Sequence, residues 1–203
     1  MSTNDTRLAL SEVQGPLIDL LEKVGGRDGE MWLRGLNKFL RKENPWGEKP
    51  ETFKIIEIGT YKDVKSLRKA LEESGAQIGN WASDILNKAK LSKSKQSLDL
   101  VALTVAELGF PEGAKLEDIY KAAKNQGLDL CPDEVGPQLR LQYSNQPNGE
   151  WLVIAMEPIK DSFGDLYLFR VSCRRGDRWL RANYGRPDLF WGVDDRLVFV
   201  RCK

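Results

Sequence analysis

Two short apolar runs joined by a polar loop are the feature that most constrains the fold of this chain. They span residues 151–156 and 166–173, and the loop between them, 158–165, contains Pro, Gly and Asp. Both runs are rich in β-branched and aromatic residues and are bounded by turn residues, which favours strand over helix. We therefore predict that they form the central hairpin of a small sheet.

The elements around this hairpin predict an α+β domain. Apolar side chains recur at helical spacing in residues 97–108, 115–126 and 133–143, although the first segment would also suit a strand. Two further strands, 178–184 and 196–201, extend the hairpin into a four-stranded antiparallel meander beside the three helices. Three helices followed by a hairpin is the element order of a winged helix, a helix-turn-helix variant that commonly binds DNA through its third helix.

The N-terminal part is predicted to be mainly helical, with one short strand. Pro16 is suited to the first position of a helix, and Pro45 and Gly47 mark a turn-rich connection. Trp32 and Trp81 fall at apolar positions of helices, so we expect both in the core. The pattern places helices over about 16–24 and 30–41, a strand over 53–58, and helices after 60 and near 78–86.

A Lys/Ser stretch at residues 87–97 separates the two parts. It contains one large apolar side chain, Leu91, and cannot bury enough apolar area to offset the entropy of ordering it. We therefore predict a solvated linker, with a mainly helical domain over 1–91 and an α+β domain over 92–203.

Composition excludes several classes of function. The 31 basic and 30 acidic residues give a net charge of +1, so no bulk attraction to nucleic acid or membrane is expected. The chain has no histidine, which excludes His-activated nucleophiles, His general bases and His-ligated zinc. Cys131, Cys173 and Cys202 are too widely spaced to predict a disulfide framework or a metal site. We expect no cofactor, no bound metal, no membrane span and a cytoplasmic location.

A second hairpin carries the candidate binding site. The sequence Arg-Arg-Gly-Asp at 174–177 predicts a tight turn, which pairs Arg170 with Arg181 and Ser172 with Trp179. One face of this hairpin is then apolar, and the other carries the two arginines.

Charge favours an anionic ligand for that second face. Six arginines and one Asp lie between residues 170 and 186, a local charge of +5. Two arginines directly opposite each other cost stability unless an anion lies between them, and Arg beside Trp suits phosphate, carboxylate or base contacts. The predicted contacts to an acidic partner are Arg170, Arg178, Trp179, Arg181 and Asn183.

Three alternatives are weighed against that interpretation. Asp194, Asp195 or Glu157 would neutralise the arginine pair within the fold, leaving a face that only keeps the protein soluble. A nucleic-acid-binding protein, winged-helix-like or specific for single strands, would need an electropositive reading surface, yet residues 133–143 contain a single cation. A metal-dependent phosphoesterase would use Glu157, Asp161 and Asp165 as oxygen ligands, which turn geometry explains equally well.

Residues 137–143, Pro-Gln-Leu-Arg-Leu-Gln-Tyr, and 149–158, Gly-Glu-Trp-Leu-Val-Ile-Ala-Met-Glu-Pro, resemble a family of uncharacterised bacterial proteins. The resemblance extends from about residue 53 to the C-terminus. It implies a bacterial origin and assigns no site residues. The leading prediction is a non-catalytic binding or adaptor protein whose partner is an acidic protein surface or a nucleic acid.

Overall fold

The computed structural model describes residues 10–41 and 50–202. Contacts divide the chain into two compact units, Met1–Lys49 and Pro50–Lys203. The first unit contains two helices that pack on each other, α1 (Leu10–Gly25) and α2 (Gly29–Leu40). Pro16 lies inside α1, so its predicted place at the first helical position is wrong. The turn predicted around Pro45 and Gly47 lies outside the described residues.

The second unit combines four helices with eleven strands over its described residues. The helices are α3 (Val64–Glu73), α4 (Asn80–Lys88), α5 (Leu116–Asn125) and α6 (Val135–Gln142). The strands are β1 (Lys54–Ile58), β2 (Gln77–Ile78), β3 (Gln96–Thr104), β4 (Ala114–Lys115), β5 (Leu128–Asp129), β6 (Trp151–Ile154), β7 (Ile159–Lys160), β8 (Leu166–Arg174), β9 (Asp177–Tyr184), β10 (Phe190–Trp191) and β11 (Arg196–Arg201). The predicted helices at 115–126 and 133–143 and the predicted strands at 53–58, 178–184 and 196–201 are confirmed.

Nine of these strands form one mixed sheet. Seven follow one another in the order β1-β3-β11-β6-β8-β9-β2, while β5 pairs with β11 and β7 with β8. Most neighbouring strands are antiparallel, but β11 runs parallel to β6 and β2 runs parallel to β9. The antiparallel pairing of β6 with β8 confirms the central hairpin. Strands β4 and β10 form a separate two-stranded sheet.

This topology overturns the predicted fold of three helices and a four-stranded antiparallel meander. Residues 97–108 do not form the first of three helices, because β3 occupies most of this segment. Strand β11 does not continue the meander beyond β9; it lies between β3 and β6. The winged-helix order is therefore wrong, and α6 is buried from Val135 to Arg140, so it is not exposed to enter a DNA groove.

Strand β3 shows why helical spacing misled. It lies between β1 and β11, and Leu98, Leu100 and Val101 are all buried. A strand covered on both faces reads as a nearly continuous apolar run, which also contains apolar pairs three and four residues apart. Pairing with distant strands, rather than local spacing, decides its structure.

The Lys/Ser stretch at 87–97 belongs to the second unit, and β1 pairs with β3 across it, so the predicted boundary at 91/92 falls within one sheet. Glu134, at the start of α6, is fully buried, and its carboxylate accepts hydrogen bonds from the backbone amides of Gly59 at 2.9 Å and Ser92 at 2.8 Å. Charge-assisted bonds of this kind satisfy the backbone donors of a polar segment and help to offset the entropy of ordering it.

Aromatic burial also differs from expectation at one position. Trp81 on α4 is 56% exposed and stacks on Tyr167 with ring centroids 6.2 Å apart, so its predicted place in the core is wrong. Trp32 on α2 is half-buried, with the Lys23 ammonium 4.9 Å from its ring centroid.

The β8–β9 hairpin has one face in the core. Phe169, Val171 and Leu180 on this face are completely buried. Helix α6 packs against it so closely that a Cβ atom on Gly136 would lie 2.5 Å from the Cβ of Phe169. The other face of the same hairpin carries the arginines that the sequence singles out.

Candidate functional site

A tight turn fixes the register of β8 and β9. Arg175 and Gly176 at its centre have φ angles of 54° and 84°, the left-handed values that two-residue hairpin turns of type I′ require. The strands pair Arg170 with Arg181 and Ser172 with Trp179. The register predicted from residues 174–177 is thus confirmed.

The adjacent strand β6 adds a second tryptophan to this surface. Trp151 pairs with Ser172 across β6 and β8, so one row across the sheet reads Trp151, Ser172, Trp179 and the next row contains Arg170 and Arg181. Asn183 follows on the same face of β9, opposite Leu168. We call this surface the Arg/Trp face; it consists of Trp151, Arg170, Ser172, Trp179, Arg181 and Asn183.

Each arginine of the pair lies over a different tryptophan. The guanidinium carbon of Arg170 is 5.5 Å from the ring centroid of Trp151, and that of Arg181 is 4.2 Å from the ring centroid of Trp179. Contacts at these distances are cation–π interactions, worth about 0.5–1 kcal/mol each at exposed sites. The two rings that flank Ser172 therefore each hold one guanidinium group of the arginine pair.

No carboxylate neutralises this pair within the part of the chain that the structure describes. Neither Arg170 nor Arg181 forms an ion pair there, and the Arg170 Nε is buried without a hydrogen-bond partner. Burial lowers the pKa of Arg170, and the charge of Arg181 acts in the same direction. Asp195, one of the expected neutralising residues, instead accepts a hydrogen bond from the backbone amide of Gly192 at 2.8 Å.

A cleft of about 270 Å³ opens between these side chains. Ser172, 9% exposed, lies in its lining, and Glu150 is the acidic residue there. Glu150 is already bound by Arg196, with a nitrogen–oxygen distance of 3.1 Å. The cleft is lined by Gly149, Glu150, Trp151, Arg170, Ser172, Cys173, Arg174 and Arg181, so three arginines face it against one engaged carboxylate.

Arg178 does not join the Arg/Trp face. It pairs with Cys173 in the register, which places it on the opposite face of the hairpin, and its guanidinium donates to the backbone carbonyl of Ser74. The sequence prediction counted Arg178 among the contacts, and this is wrong, because side chains alternate along a strand and Arg178 precedes Trp179.

A further cation lies behind β8. Arg140 of α6 is completely buried and donates to the carbonyl of Ser172 at 3.3 Å and to Gln146 and the carbonyl of Tyr143. Burial lowers the pKa of Arg140 to about 10, and the charge of Arg178 adds to the shift. Arg140 still carries its charge at neutral pH and contributes positive potential to the strand that lines the cleft.

The acidic loop considered as a metal site has a structural role. One carboxylate oxygen of Asp161 accepts hydrogen bonds from the backbone amides of Phe163 and Asp165, each at 2.9 Å. This is the behaviour of a turn carboxylate. No cluster of three or more Cys, Asp or Glu residues suited to hold a metal occurs among residues 10–41 and 50–202.

Sequence reasoning missed Trp151, Glu150 and Arg174 as parts of the site. Trp151 was recognised as a strand residue, but only its pairing with Ser172 brings it beside Arg170. The predicted hairpin of 151–156 with 166–173 contained the signal, yet its long loop left the register of those strands undetermined.

Compared with models of protein families, with curated proteins and with solved structures, the chain matches none. The resemblance to a bacterial family therefore stays a prediction. Over the residues that the structure describes, no helix combines the length and apolar character needed to cross a bilayer.

Proposed function

We propose that this chain is a non-catalytic binding protein of the bacterial cytoplasm that recognises an acidic partner through the Arg/Trp face. Arg170 and Arg181 supply the principal contacts, with Trp179 and Asn183 beside them. The observation that carries the proposal is that the two guanidinium groups share a cleft in which Glu150, the acidic residue among the described lining residues, is bound at one carboxylate oxygen by Arg196. An anion from a partner would offset the repulsion between them.

The alternative partner is a single-stranded nucleic acid. The local charge of +5 between residues 170 and 186 favours it, because phosphates are attracted to clustered arginines. Base stacking is less favoured, since each tryptophan ring of the face already has a guanidinium over it. We therefore place an acidic protein partner first.

A titration with two labelled probes tests the proposal. The probes are an oligo-glutamate peptide and a mixed-sequence single-stranded oligonucleotide of similar charge. Fluorescence anisotropy measures the binding of each probe at about 50 and about 200 mM salt. We expect the peptide to bind to the unmodified chain. The double variant Arg170→Ala, Arg181→Ala should have an affinity for the peptide at least about tenfold lower, because each charge-assisted hydrogen bond is worth about 1.5–3 kcal/mol.

The matched control removes two arginines of the same segment outside the cleft. Arg175→Gly preserves the left-handed turn, and Arg186→Ala removes a side chain that is paired with Asp188 on the surface. This control has the same net charge as the cleft variant and should retain affinity within about twofold. Equal losses in both double variants would reject the cleft, and tighter binding of the oligonucleotide would favour the nucleic-acid function.

A further inference from the structure

The arginines of the cleft outnumber the charge of a single carboxylate ligand. Arg170, Arg174 and Arg181 face the space, while Glu150 forms an ion pair with Arg196 through one carboxylate oxygen. A monoanion would leave two of the three cations without compensation, whereas a dianion leaves one. Arg140 behind β8 adds to the excess of positive charge.

The donors of the cleft also suit a tetrahedral oxyanion. A guanidinium group presents two parallel N–H donors that match phosphate oxygens, and three such groups together provide more donors than one carboxylate can accept. Ser172 adds a hydroxyl in the row of the sheet next to the Arg170–Arg181 pair, and the two tryptophans flank it in that row. A phosphate monoester has three oxygens that can accept these bonds.

The size and the aromatic contacts of the cleft indicate what carries the phosphate. A volume of about 270 Å³ lies near the lower end of the range of about 300–1,000 Å³ that is usual for pockets binding drug-sized ligands. Each tryptophan ring that could stack on a nucleobase already has a guanidinium group over one of its faces. A phosphate at the end of a short side chain fits these conditions better than a nucleotide.

We propose that the cleft binds the phosphate group of a phosphorylated protein side chain, with Arg170, Arg174 and Arg181 as cationic donors and Ser172 as a hydroxyl donor. This inference rests on the proposed function, because it specifies the acidic group that the Arg/Trp face receives.

The absence of histidine makes pH a selective test. The charged and titratable groups facing the cleft are Arg170, Arg174, Arg181, Glu150 and Cys173, with Arg196 bound to Glu150 and Arg140 behind β8. No histidine, the side chain whose charge ordinarily changes between pH 5 and 8, is present in the chain. The second pKa of a phosphate monoester is about 6, so the ligand itself changes charge in this range.

The experiment is calorimetric titration of the full chain with three probes at about pH 7.5 and about pH 5. They are a glycine-flanked phosphoserine peptide, the same peptide with glutamate at that position, and adenosine 5′-monophosphate. We expect the phosphopeptide to bind most tightly at about pH 7.5. Its affinity should fall about tenfold at the lower pH, where about nine-tenths of the phosphate is monoanionic. The affinity of the glutamate peptide should change by less than about twofold, since its carboxylate stays mostly ionised.

A matched pair of variants tests the third cation. Arg174→Ala removes a residue that lines the cleft, and Arg175→Gly removes its neighbour at the turn. We expect Arg174→Ala to lower the affinity for the phosphopeptide about tenfold. Arg175→Gly should keep this affinity within about twofold of that of the unmodified chain.

Each other outcome contradicts a defined part of the argument. Equal, pH-independent affinity for the glutamate and phosphoserine peptides would overturn the phosphate inference and leave the acidic partner standing. Tighter binding of the nucleotide would overturn the protein side chain as its carrier. Failure of both peptides and of the oligo-glutamate probe would overturn the proposed function as well.

Discussion

Glu134 and Arg170 are both charged side chains set into the second unit, and their surroundings are opposite. The carboxylate of Glu134 accepts hydrogen bonds from the backbone amides of Gly59 and Ser92. It also accepts one from the side-chain amide of Gln138, at 2.8 Å. The guanidinium of Arg170 faces Arg181, and its buried Nε has no hydrogen-bond partner among residues 10–41 and 50–202. Hydrogen bonds from the chain itself surround Glu134, and the described part of the chain supplies none to the Arg170 Nε.

The difference separates a structural charge from a binding charge. Burying a charge is costly unless hydrogen bonds or counter-charges replace the water it loses. Around Glu134 the fold provides hydrogen bonds in place of the lost water, and the bond from Ser92 helps to order the segment at 89–95. Around Arg170 the fold provides tryptophan rings and a cleft, which hold the cation in place but leave its charge for a ligand to neutralise.

The largest effect expected from this comparison is the loss of stability in Glu134→Ala. The substitution removes the acceptor of the backbone amides of the half-buried residues Gly59 and Ser92 and of the buried side-chain amide of Gln138, at a cost of about 1–3 kcal/mol for each group. We expect the free energy of unfolding to fall by at least about 3 kcal/mol in urea denaturation. Glu73→Ala, at an exposed position paired with Lys69, is the control and should change stability by less than about 0.5 kcal/mol. Similar stabilities of the two variants would show that Glu134 is not a structural charge.

A smaller loss of stability is expected on the core side of the β8–β9 hairpin. In Gly136→Ala the new Cβ would lie 2.5 Å from Phe169, so α6 or the strand must shift, at a cost of about 1–3 kcal/mol. In Gly35→Ala on α2 the new Cβ meets no atom of the described residues within 4 Å, and the change should stabilise its helix by up to about 1 kcal/mol. Thermal denaturation compares the two variants.

The same glycine variant tests whether the two faces of the hairpin act independently. Affinity of Gly136→Ala for the oligo-glutamate probe should stay within about threefold of that of the unmodified chain at a temperature where both are folded, because the substitution lies on the opposite face. A loss of affinity larger than the loss caused by removing Arg170 and Arg181 would place the binding surface on the core side.

The hairpin also marks the limit of what the sequence predicts. Its register follows from a local signal, the Arg175-Gly176 turn, so the pairing of Arg170 with Arg181 was predictable. The position of β11 between β3 and β6 depends on contacts between residues far apart in the chain, which periodicity does not encode. Glu134 gave no signal either, because the two backbone amides that it accepts from belong to residues 75 and 42 positions away in the chain.

A small change in stability is expected when the Arg170–Arg181 pair, whose register the sequence predicted, is replaced. Changing Arg170 and Arg181 together to Met keeps long apolar stems while removing both charges. Loss of the like-charge pair should stabilise the hairpin by about 0.2–1 kcal/mol, and loss of two cation–π contacts should cost about 0.5–1 kcal/mol each. We therefore expect the free energy of unfolding in chloride buffer to change by less than about 2 kcal/mol, less than in Glu134→Ala.

Urea denaturation measures this difference, and the titration with the oligo-glutamate probe measures what the same variant does to binding. A large loss of stability with unchanged affinity would make the arginine pair structural, like Glu134, and would end the distinction between the two regions. Lost affinity with preserved stability is the result that only a binding role explains, because a charge that stabilised the fold could not be removed without weakening it.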